Sequence, residues 1–186
     1  MTAFEYLSVL LSIILGLAIT HVLEGYRGLL LARKRVRRYW PSLIWSALIL
    51  LFTCQAWWAS FGLDDRREWR FDVFLVIVGQ MALIYMAAAL VLPDARGDEP
   101  VDLRAHYETQ RRPFFAVLLL TVIASLLKDL MLDGALPEGT NLGFHVLLAA
   151  TALAGIFVAR HAVQWCLALG MCVLFTGYIA LLFARL

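Results

Sequence analysis

Polar side chains that recur inside apolar runs are where this sequence could do chemistry. Glu5, Ser8, Ser12, Gly16, Thr20 and Glu24 follow one another at intervals of three and four. At about 100° per residue they share one face of a helix. Such a face can line a pore, or form a seam where Ser, Gly and Thr let a neighbouring helix come close. On either reading the stripe is expected to point at protein rather than lipid. His21 stands three residues before Glu24, a spacing that suits a proton relay because imidazole titrates near neutrality. The plainer reading is a histidine that satisfies a carbonyl or another helix. Arg27 follows Glu24 at i,i+3 and offers it an ion pair. His21, Glu24 and Arg27 are therefore the inner relay candidates.

A second group belongs at the opposite depth. Thr121, Ser125 and Asp129 repeat every four residues, with Lys128 beside them. Measured from Pro113, Asp129 lies about 24 Å along a helix axis. Asn141 and His145 begin the next apolar run at the same level, and Glu5 and Asp72 enter there too. Gln55, Gln80, Thr176 and Tyr178 add polar groups to the outer half of three more runs. From these the sequence suggests an outward-opening, water-accessible cavity lined by Glu5, Ser12, Gln55, Gln80, Lys128, Asp129 and His145. The competing reading has the same residues pairing across helix ends and only fixing register.

The elements that must position these groups are membrane spans. The 186 residues are 62% hydrophobic and 16% charged, with a mean hydropathy of +0.80; an average soluble domain is about 45–50% apolar and about 25% charged. A bilayer core about 30 Å thick needs roughly 20 apolar residues per helix. Six stretches qualify, over 4–30, 41–62, 71–92, 113–132, 141–160 and 162–184. Their continuous apolar runs exclude a barrel of alternating strands. The expected fold is an all-α integral membrane protein, one transmembrane domain of six helices over 1–186. A short cytoplasmic helix is expected between spans three and four, where VDLRAHYETQRR runs without proline. Pro41 and Pro113 are expected in the first turns of spans two and four. Small residues on spans five and six, including Thr151, Gly155, Gly170 and Gly177, read as close-packing faces.

Charge sets the topology. No Lys or Arg precedes Arg27, so the first span is not a secretory signal. Arg33, Lys34, Arg35, Arg37 and Arg38 follow that span, Arg96, Arg104, Arg111 and Arg112 follow the third, and Arg160 follows the fifth. The other side has Arg66, Arg67 and Arg70 diluted by Asp64, Asp65 and Glu68, and Arg185 at the end. By the positive-inside rule both termini lie outside, and a bacterial inner membrane is the expected location. The run Arg33, Lys34, Arg35, Arg37 and Arg38 is also a candidate site for anionic lipid headgroups.

Several functions find no support. No GxSxG, HExxH, P-loop or clustered-aspartate motif is present. Acidic and imidazole groups do not fall at metal-ligand spacing within a span, and Cys54, Cys166 and Cys172 form no disulfide or CxxC framework. His21 and His161 are the one conceivable haem pair, and no cofactor is expected. A net charge of +2 does not suggest nucleic acid. Membrane lipids and further copies of the chain are the expected partners, with a protein partner on the cytoplasmic side as an alternative. Two function classes follow: a small channel or transporter for an ion, proton or small polar solute, or a non-transporting scaffold, sensor or accessory subunit.

Overall fold

A computed structural model of the chain describes residues 3–64, 66, 69–95, 97 and 99–183, with the backbone alone at Ala3, Leu182 and Phe183. Asp65, Arg67, Glu68, Arg96, Ala184 and Arg185, used above for topology and span limits, lie outside the described residues.

Among the described residues, long apolar runs give six helices: α1 (Ala3–Leu31), α2 (Trp40–Ala59), α3 (Phe71–Val91), α4 (Leu103–Asp133), α5 (Gly139–Phe157) and α6 (His161–Tyr178). A 3-10 turn, Ser60–Leu63, extends α2, and a π turn, Ile179–Phe183, extends α6. All six are long and apolar enough to cross a membrane. Each packs against the next; α1 also lies on α3, and α2 reaches α6 and α4.

The connections sort to two ends. At one, here the basic end, strand β1 (Val36–Arg37) pairs in parallel with β2 (Val101–Asp102), Val36 opposite Val101 and Arg37 opposite Asp102. This clasp ties the α1–α2 connection to the α3–α4 connection, and Arg37 adds an ion pair to Asp102 at 3.6 Å. At the other, here the terminal end, Arg66 donates to the Leu132 carbonyl at 2.8 Å and pairs with Asp133.

Helix α4 departs from expectation. The helix foreseen before the fourth span is not separate: one α-helix of 31 residues runs from Leu103 through Pro113 to Asp133. At 1.5 Å per residue it is about 46 Å long. Proline removes one N–H and would end an isolated helix. Here the turns on both sides are held by packing, since Tyr107, Arg111, Phe114 and Phe115 are all buried. Asp102 starts the helix as its N-cap, its side chain accepting the Arg104 and Ala105 N–H groups at 2.9 and 3.1 Å. Gly134 ends it at φ 70°, donating its N–H to Leu130.

The stripe on α1 also departs from expectation. The buried ridge of that helix is Phe4, Leu7, Leu11, Leu15, Ala18 and Val22. Glu5, Ser12, Gly16, Thr20 and Glu24 lie on the exposed face, with Ser8 at its edge. The hydroxyls need no protein neighbour, because Ser8 donates to the Glu5 carbonyl and Thr20 to the Gly16 carbonyl, both at 2.9 Å.

Candidate functional site

All six helices contribute to a cavity of about 180 Å³ in the terminal half of the bundle. Space of that size holds several waters. Five residues of the expected lining meet there: Gln55 from α2, Gln80 from α3, Lys128 and Asp129 from α4, and His145 from α5. Thr121, Ser125, Asn141 and Tyr178 line it as well. Thr121, Ser125 and Asp129 face one way because four residues are close to one helical turn.

The cavity is polar in a specific way. The Lys128 ammonium lies 2.9 Å from the Asp129 carboxylate, both largely shielded. His145, 5% exposed, is held on both ring nitrogens. A carbonyl only accepts, so Nδ1–H must donate to Asn141 O at 2.9 Å. With Nδ1–H so engaged, Nε2 faces the Ser125 hydroxyl at hydrogen-bond distance, 3.1 Å away. Thr121 donates to the Val117 carbonyl at 2.9 Å, which leaves its oxygen free to accept. The Gln80 Oε1 and Asn141 Oδ1 atoms are buried and have no hydrogen-bond partner. Buried acceptors of this kind are uncommon, and each calls for a donor that the fold does not supply.

The other expected lining residues are elsewhere. Glu5 lies on the outer face of α1, and Ser12 accepts the Trp57 indole N–H at 3.2 Å at the exposed α1–α2 seam. The relay group does not assemble. His21 faces the Tyr85 hydroxyl at 3.2 Å rather than Glu24. Glu24 and Arg27 are exposed and form no ion pair with each other. Both stand on the side of α1 turned away from the bundle.

Below the polar cavity lies an apolar one of about 40 Å³ that shares Phe52, Val122 and Leu148 with it. Trp45 lines the apolar cavity and meets Phe114 and Phe115 edge to face, with centroids 5.6 and 5.0 Å apart. Trp45 is 2% exposed, a core residue. Gly155 of α5 permits this packing: a Cβ there would lie 2.4 Å from the Phe115 ring.

Beyond the aromatic cluster, the basic end carries a network that sequence reasoning missed. The Arg111 guanidinium is buried and donates to the Gly155 and Ile156 carbonyls, the latter at 2.8 Å. It thus closes the C-terminus of α5, where unpaired carbonyls and the helix dipole favour a cation. The Tyr107 hydroxyl donates to Gln164 Oε1 at 2.6 Å. The Trp165 N–H donates to His161 Nε2 at 3.0 Å, so His161 Nδ1–H points at the Tyr39 hydroxyl, 3.2 Å away. A signal for Arg111 exists in the spacing: Leu103, Tyr107, Arg111 and Phe115 repeat every four residues and form one buried ridge. That ridge shows only when the helix is carried back through Pro113.

The basic connection after α1 is ordered. Arg35 donates to the Glu99 carbonyl and Arg37 pairs with Asp102, so both face the α3–α4 connection. Arg33, Lys34 and Arg38 are exposed. Among the described residues no three His, Cys, Asp or Glu side chains gather as a metal site would require. No family model matches the chain, and no curated protein or solved structure is significantly similar to it.

Proposed function

We propose that the chain crosses a membrane six times and moves a small polar solute or ion through its centre. In this reading it sits in a bacterial inner membrane, with the terminal end and both termini on the periplasmic side. The distribution of basic residues supports that orientation. The observation that carries the reading is the cavity itself. Polar groups from five helices converge in the interior, and two of their acceptors lack any protein donor. Polar groups inside a bundle that spans lipid are costly, and they commonly mark a solute path.

The geometry supports a state open toward the terminal end and closed toward the basic end. A solute entering would meet Lys128 and Asp129, then the amides of Gln55 and Gln80. Its way on is blocked by the apolar chamber and by Trp45, Phe114 and Phe115. Passage would require α4 and α5 to part where Phe115 packs on Gly155. His21, Glu24 and Arg27 have no part in this path, because Glu24 and Arg27 lie on the outer face of α1 and His21 turns to Tyr85 of α3, away from the cavity.

Flux into liposomes carrying the purified protein, under a proton, potassium or sodium gradient, tests the reading. Dissipation of one gradient by the wild type, abolished by Asp129→Asn with folding intact, is the expected result. Rates equal to those of empty liposomes throughout would overturn it. The exposed row Ser12, Gly16, Thr20 and Glu24 favours a second reading, an accessory subunit whose partner covers that face. Absence of flux together with a stably co-purifying protein would support that alternative.

A further inference from the structure

Where α1 passes into α2 at the basic end, a groove of about 440 Å³ opens on the outside of the bundle. Leu29, Leu30, Leu43 and Trp40 make its apolar wall, and Arg33 and Arg38 line it as well. We propose that this groove holds one anionic phospholipid, its phosphate between Arg33 and Arg38 and an acyl chain along the leucines. The proposal does not depend on the transport reading.

The charge around the groove selects the ligand. Of the five bases in this connection, Arg35 and Arg37 are engaged by the α3–α4 connection and Lys34 is exposed outside the groove, while Arg33 and Arg38 line it, Arg33 with one amino group donating to the Leu30 carbonyl at 3.4 Å. Among the described residues no carboxylate lines it. Tyr26, the other polar lining residue with a hydroxyl, is already bonded to Ser46 at 2.9 Å. The chemistry offered is therefore two guanidinium forks over a greasy wall, which matches a phosphate oxygen pair joined to a hydrocarbon chain. A zwitterionic lipid presents the same phosphate, but its ammonium would find two like charges and no acid to receive it. Basic pockets between spans generally take anionic headgroups on this principle. Pairing of β1 with β2 fixes the backbone at Val36 and Arg37, between the two arginines, so less of the connection is left to order on binding. Trp40, 56% exposed, stands where an interfacial indole would flank the headgroup.

The test uses the full chain in non-ionic detergent, with native mass spectrometry counting bound phosphatidylglycerol against phosphatidylcholine. The wild type should retain phosphatidylglycerol at least tenfold more strongly. Arg33→Gln/Arg38→Gln should weaken it on the order of thirtyfold, from ~1 kcal/mol per base. Arg112→Gln/Arg160→Gln removes two bases at the same end outside the groove and should leave binding within about twofold, an allowance of ~0.4 kcal/mol. Leu43→Trp, which fills the groove and keeps every charge, should also weaken binding. Equal retention of the two lipids, an equal loss in the control pair, or full binding by Leu43→Trp would each overturn the proposal. A readout without arginine variants guards against misfolding: phosphatidylglycerol with brominated chains should quench the wild type more than Trp40→Phe. Equal quenching of the two would overturn it as well.

Discussion

Arg111 and Gly155 meet across α4 and α5, beside a second contact of the same glycine. The guanidinium of Arg111 donates to the Gly155 carbonyl, and Phe115, one turn further along α4, occupies the space that a side chain on Gly155 would need. One small residue therefore supports both the polar closure of α5 and the aromatic cluster of Trp45, Phe114 and Phe115.

Replacing Arg111 by Gln should destabilise the protein by about 2–3 kcal/mol, the scale of buried hydrogen bonds to a charged group. Both the Gly155 and Ile156 carbonyls lose their cationic donor. Thermal unfolding in detergent reads the loss. An unchanged midpoint would mean that water or another group satisfies the end of α5 equally well.

Gly155→Ala should cost about 1–3 kcal/mol through overpacking, although alanine is the better helix former. The strain comes from Phe115, so Gly155→Ala/Phe115→Leu should recover much of the single-variant loss. Purely additive losses would show that the two residues do not share one space.

Tyr107→Phe removes the hydroxyl that donates to Gln164 at 2.6 Å. Gln164 is 2% exposed, so its oxygen would be left buried without a donor, at a cost of about 1–3 kcal/mol. Tyr107→Phe/Gln164→Leu should be closer to the wild type than Tyr107→Phe alone. Denaturation of the two variants side by side decides the matter.

Asp102 gives a pH dependence whose sign can be worked out. The Ala105 N–H, then the Arg104 N–H and the Arg37 charge, hold its carboxyl below the usual 3.8. A depressed folded value means that the carboxylate's contribution is fully present above the unfolded value and disappears as pH falls through the folded one. Asp102→Ala should therefore lower the unfolding temperature at pH 7. The gap between variant and wild type should close as pH drops below about 4. A gap independent of pH would show that capping there does not rely on the charged form.

The helices were legible in the sequence because lipid-length apolar runs leave few alternatives, and Gln55, Gln80, Asp129 and His145 were legible as polar interruptions within them. What failed was helix rotation and helix continuity. The α1 stripe, with Glu5 and Ser12, has a clear period, but a period does not say whether the leucine ridge or the polar ridge turns inward. On α1 the leucines won, since back-bonded Ser8 and Thr20 tolerate exposure. Pro113 hid the reach of α4, and with it the burial of Arg111, which the chain alone presents as one more base on a short cytoplasmic helix. Ser125 and Asn141 were visible as polar residues, yet their link through His145 depends on how α4 and α5 face each other.

The length of α4 has a mechanical consequence. In the six-span arrangement proposed above, a rod of about 46 Å would be half again as long as a hydrocarbon layer about 30 Å deep, so its first turns would overhang like the handle of a crank. That handle is pinned, by Asp102 to the strand clasp and by Tyr107 to α6. A few degrees of tilt at the buried end would become a sideways stroke at the handle, pulling on α1, α3 and α6 together.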